Sequence, residues 1–172
     1  MLAWEEMDYA ARTEVWDRFD REFSFQPSVH EEDWPGIREP DPSETYSISH
    51  VYDGEDELYA KLNRELQDWG LRAFRTLLHG ETAWLFALDW QHACYRFRPH
   101  IPFAVDEFGE WPIPLLPNGD YYIFLHSEFA WGVFGHPWEQ TICVFGKELL
   151  ALVEQGRPTL LSQRIRRDGK GA

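Results

Sequence analysis

Two short clusters hold the side chains best suited to chemistry: Asp89-Trp90-Gln91-His92 and His136-Pro137-Trp138-Glu139. A carboxylate beside an imidazole is the smallest inventory that can move a proton to or from a bound molecule. If the two clusters met, Asp89, His92 and His136 would form the catalytic set. Trp90, Gln91, Arg96, His126, Trp138 and Glu139 would then line a ligand pocket between them. The same residues also make ordinary turns, with Trp filling the core and Asp or His capping free backbone groups, and we prefer that reading.

Other chemistries find less support. The seven histidines, at 30, 50, 79, 92, 100, 126 and 136, include no helical His pair and no HExxH motif, so local spacing indicates no metal site. A site would have to assemble in space from Asp89, His92, His126 and His136. No glycine-rich phosphate loop precedes a helix, no Gly-x-Ser-x-Gly elbow is present, and no cofactor is expected. Cys94 and Cys143 stand singly and read as buried thiols, although Arg96 and Arg98 lie close to Cys94 in sequence.

The elements that must position these clusters are legible from periodicity. Between Pro117 and Gly146 three runs, Tyr121 to Ser127, Ala130 to Phe134 and Thr141 to Phe145, alternate with tight turns and predict an antiparallel meander. Thr45 to Tyr52, Thr82 to Asp89 and Ala93 to Arg98 add three strands. Met7, Ala11, Val15 and Phe19 recur every four residues and predict a helix from Glu5 to Phe23. Leu58, Leu62, Leu66 and Trp69 predict another from Glu55 to Trp69, continuing beyond a bend at Gly70. A third covers Lys147 to Glu154. The expected fold is α+β in a single domain over residues 1–163, a mainly antiparallel sheet of five to six strands packed with N-terminal, central and C-terminal helices. A proline-rich acidic loop spans 24–44, Trp111-Pro112-Ile113-Pro114 reads as an extended edge, and residues 164–172 read as a basic, flexible tail.

Charge divides the chain. Of 30 Asp and Glu and 16 Lys and Arg, residues 1–68 hold 19 acidic against 6 basic, so nearly all of the net charge of −14 belongs to the first third. Such a field disfavours nucleic acid and anionic membranes and steers a basic protein partner. Glu31, Glu32, Asp33 and Trp34 in the loop are the expected partner contacts, with Trp34 either folded back on the body or exposed as an anchor. No apolar run reaches the ~20 residues of a membrane span, and the acidic start lacks a signal-peptide pattern, so a cytoplasmic protein is expected.

Leu88-Asp89-Trp90-Gln91-His92, Gly119-Asp120-Tyr121-Tyr122 and Gly135-His136-Pro137-Trp138 together resemble a bacterial family known only as a domain of unknown function. The resemblance covers residues 80–155 and implies one shared core, but no activity. Two functional readings remain: a small acidic binding protein of the immunity or antitoxin type that neutralises a basic partner, and an enzyme or small-ligand protein with a pocket between the LDWQH and GHPW turns.

Overall fold

Why the sheet is buried on both faces follows from its strands. In Leu85–Asp89 the side chains of Leu85 and Ala87 join one apolar cluster, and those of Phe86 and Leu88 join another. The computed structural model, which describes residues 1–171, resolves this into three layers. In chain order the elements are β1 (Trp4–Glu6), α1 (Tyr9–Phe23), β2 (Ser43–Ser47), α2 (Asp56–Leu77), β3 (Leu85–Asp89), β4 (Tyr95–Phe97), β5 (Tyr122–His126), β6 (Gly132–His136), β7 (Thr141–Phe145), α3 (Lys147–Gln155), β8 (Gln163–Arg167) and β9 (Lys170–Gly171). The strands form one sheet in the order β1-β4-β3-β5-β6-β7-β2-β8-β9, and every neighbouring pair is antiparallel.

The α+β class and the antiparallel sheet are as expected, but among the described residues the sheet has nine strands instead of five to six. The additional strands, β1, β8 and β9, lie at its two edges. Edge strands need no alternating apolar pattern, and Gln163–Arg167 is almost wholly polar, so nothing local marks it as a strand. The basic segment from Arg164, expected as a flexible tail, pairs here with β2 and with itself.

α1 starts later than its apolar stripe suggests, because Met7 and Trp4 belong to the sheet side of the junction. Asp8 caps the helix by accepting from the Ala11 amide at 2.8 Å, and Val15, Phe19 and Phe23 face the sheet. On the opposite face α2 runs unbroken through Gly70. The glycine is there for close packing and makes no bend, since a Cβ would stand 2.2 Å from the Leu115 side chain. Trp111-Pro-Ile-Pro forms no strand. It lies under α2, with Trp111 and Ile113 buried and the Trp111 amide donating to the Gln67 side chain. No helix among the described residues is long and apolar enough to cross a membrane.

Candidate functional site

β3 ends in Asp89, and the chain then turns so tightly that Gln91 takes a left-handed conformation, φ 65°. The His92 amide returns to the Asp89 carbonyl, and its ring follows: Nδ1 lies 3.0 Å from the Asp89 carboxylate and 3.5 Å from that of Asp120, just before β5. Ligand-type atoms of Asp89, His92 and Asp120 all fall within 4.8 Å of one another, the spacing a divalent cation accepts from mixed oxygen and nitrogen donors. Partial burial pushes the Asp89 carboxyl up, against the bond from His92, while that bond raises the imidazole pKa. His92 is therefore expected to titrate above its ordinary value of 6.5, and Asp89→Asn to lower it, as read by the imidazole proton shifts in an NMR pH titration. A raised folded pKa means that this pair stabilises the fold below pH 6.5 and loses that contribution as pH rises through the folded value.

His136 is not part of this cluster. Asp89 pairs with Tyr122, and Tyr122 pairs with Gly135, so these three share a face of the sheet and His136, one residue on, points to the other. The Asp89 and His136 side chains thus leave the sheet on opposite faces, although Trp90 and His136 both pack against Tyr121 on the α1 side. There His136 is fully buried, its ring 4.8 Å from that of Tyr121 and 5.6 Å from that of Trp34. Its Nδ1 accepts from the Trp138 and Glu139 amides at 3.2 and 3.0 Å, so the proton of the neutral ring sits on Nε2, which has no hydrogen-bond partner among the described residues. Burial, chiefly, pulls its pKa down to about 4. This geometry is the turn-capping role, not that of a base poised for a substrate.

The remaining expected pocket residues are dispersed. Trp90 packs edge-on against Tyr121. Gln91 is exposed, and with His92, Arg12, Trp16 and Asp20 it borders an open cleft of about 240 Å³. Arg96 lies on β4, 3.6 Å from Glu5 and over the Trp84 ring. His126 is at the far end of β5, against Trp131. Trp138 is exposed. Cys94 and Cys143 are free and buried, and burial pushes both thiols up, away from nucleophilic thiolate.

Glu139 belongs to a constellation that local sequence does not announce. Arg166 on β8 forks onto Glu139 at 2.6 and 2.9 Å and reaches Glu39 of the 24–42 loop at 2.5 Å. Glu39 also accepts from the Thr45 hydroxyl, and Glu139 from that of Thr141. Three remote segments are clamped at one guanidinium. The loop is fastened further by Tyr121, whose hydroxyl bonds both backbone groups of Ser28, and by Trp34, whose indole donates to the Ser28 carbonyl at 3.3 Å. Trp34 therefore folds back on the body. Asp33 accepts from the Ser28 hydroxyl, and of the expected partner contacts Glu31 and Glu32 stand exposed. They share their side of the sheet with the outer face of α1, where Glu14, Asp17, Asp20 and Glu22 are exposed. Partial desolvation first, and Asp17 second, raise the Asp20 carboxyl.

Residues 6–150 match the family model described as "Protein of unknown function (DUF2716)", a span that takes in the acidic first third as well as the three motifs. The chain is also similar to "Uncharacterized protein YxiI" of Bacillus subtilis (strain 168), 35% identical over 167 residues that make up 95% of this chain and all of the relative. No solved structure matches it. By the extent of both matches, the chain belongs to the DUF2716 family.

Proposed function

We propose that this is a binding protein that neutralises a basic protein partner, of the immunity or antitoxin type, through the acidic side formed by α1 and the 24–42 loop. One observation carries the reading: Glu14, Asp17, Asp20, Glu22, Glu31 and Glu32 are exposed on one side of the sheet, where Arg21 is the exposed basic residue of α1. Partial desolvation and then the Asp17 charge disfavour the ionised Asp20 carboxyl, and a cationic surface relieves that cost on docking. The loop bearing Glu31 and Glu32 is pinned by Tyr121, Trp34 and Arg166, so the side is preorganised and little ordering entropy is lost on binding. A cytoplasmic setting suits the two free cysteines.

The test is co-expression with basic effector proteins encoded beside the gene, scored by growth and by co-purification. Wild type should rescue growth and retain the effector. A variant carrying Glu14→Gln, Asp17→Asn, Asp20→Asn, Glu31→Gln and Glu32→Gln should lose at least tenfold in affinity while keeping its unfolding temperature. Full rescue by that variant, or no binding by wild type to any basic effector tested, refutes the proposal.

A further inference from the structure

With 30 carboxylates against 16 cations, a region where cations prevail runs against composition. One such region lies on the side of the sheet opposite α1. Between α3 and the β2–β8 edge an open cleft of about 450 Å³ is lined by Lys147, Arg157, Arg164 and Arg167, with Glu44 and Glu154 as its acidic residues. A quarter of the chain's cations meet there, against one in fifteen of its carboxylates.

The pairing of β2 with β8 builds this cleft. Thr45 faces Arg166 but Tyr46 faces Arg164, so Ile165 is an extra residue and β8 is bulged. The bulge changes the parity of the strand: Arg164 and Arg167 fall on the side of Tyr46 and Glu44, while Arg166 falls on the side of Thr45 and Glu39. α3 adds Lys147 at its first turn, and Arg157 follows two residues after Gln155 ends it.

These cations retain unused donors. Glu44 accepts from the Tyr46 hydroxyl, while Arg164 and Arg167 approach it only to 3.6 and 3.9 Å, well beyond the ~2.8 Å of a charge-assisted hydrogen bond. Lys147 and Arg157 pair with no carboxylate among the described residues. Arg157 reaches the Tyr46 hydroxyl at 3.5 Å and lies over the Tyr46 ring, 5.9 Å from its centroid. Pro42, Leu150 and Val153 add apolar wall. The volume lies in the range of small-molecule sites, ~300–1,000 Å³. The carboxylates of α1 lie across the sheet, about 10 Å or more away, where physiological salt screens most of their effect.

We propose that this cleft binds a small phosphorylated metabolite, with phosphate oxygens held by the guanidinium forks of Arg157, Arg164 and Arg167 and by Lys147, and an organic portion against Leu150 and Pro42. Guanidinium forks match phosphate geometry, and several converging on one space select for multiple negative charge. Titration calorimetry of the full chain with inorganic pyrophosphate and with ATP tests it. Saturable one-to-one binding is expected for at least one of them, with Arg164→Gln/Arg167→Gln weakening it at least about tenfold. Lys61→Gln/Arg64→Gln, the same charge change on α2, should leave it intact, and both double variants should keep the wild-type unfolding temperature. Absence of saturable heat with either anion, or equal weakening by both double variants, overturns the proposal.

Discussion

Replacing Arg166 with glutamine is expected to lower the unfolding free energy by about 3–5 kcal/mol, the cost of stranding buried charge when one member of an ion pair is removed. The Glu39 side chain is 1% exposed and that of Glu139 10%, and Arg166 is the cation that both share. Without it Glu39 keeps the Thr45 hydroxyl and Glu139 that of Thr141, neither of which neutralises a carboxylate. The guanidinium is suited to its place: burial works against its charge, but the bonds it donates to Glu139 and Glu39 outweigh that and raise its pKa further. At roughly 2–4 °C per kcal/mol for a domain of this size, the unfolding temperature should fall by about 6–20 °C. Urea unfolding followed by tryptophan fluorescence measures the first quantity and calorimetry the second. Adding Glu39→Gln to the variant should recover part of the loss, because the charge left behind is then removed. A loss below about 1 kcal/mol would mean that water reaches the two carboxylates and that the clamp is not dry.

The second large effect is expected from His136 on acidification. A histidine whose folded pKa lies near 4 binds fewer protons in the native state than in the unfolded chain, where it titrates near 6.5. Its contribution is therefore intact above pH 6.5 and is lost as pH falls from there to about 4, below which no more is lost. A gap of this size corresponds to about 3 kcal/mol. The groups facing the ring act in opposite senses, Glu139 favouring its protonation and Arg166 opposing it, while Tyr121, Trp34 and Phe134 exclude water. His136→Asn retains an acceptor for the Trp138 and Glu139 amides but does not titrate. His126, whose pKa burial lowers, and Asp89 and Glu110, whose carboxyls burial raises, titrate in both proteins, so the difference between the two curves isolates His136. Parallel curves of stability against pH from 4 to 7 would show that the ring is hydrated and its proton affinity ordinary.

What could be read from sequence was what repeats locally. The meander of β5, β6 and β7 and the apolar stripe of α2 are written in periods of two and of three to four residues, and both stand where expected. The clamp was not legible, because Arg166 meets Glu39 across 127 residues and Glu139 across 27, and charged residues on a surface segment normally signify solvation. The bulge at Ile165 is equally silent, yet it decides which arginine goes to which side of the sheet. Asp89 was expected at a strand end and His136 in a turn, where β6 in fact reaches His136, and only the register through Tyr122 reveals that their side chains face opposite ways. Asp120 was within reach, since it stands in the GDYY motif just ahead of the strand that pairs with Asp89.

In the proposed docking the exposed carboxylates of the α1 side steer the partner, and those at α2 do not. The most direct measurement is the association rate constant with a bound basic effector as a function of ionic strength, compared between two variants of equal charge. One neutralises Glu14, Asp17, Asp20, Glu31 and Glu32 on the α1 side, the other Asp53, Glu55, Asp56, Glu57 and Asp68 at α2. Electrostatic steering through the α1 side predicts that wild type and the α2 variant associate at least tenfold faster in 50 mM than in 500 mM salt, and that the α1 variant is slow and nearly insensitive to salt. Equal slowing by the two variants, or an association rate of wild type that does not change with salt, would contradict it.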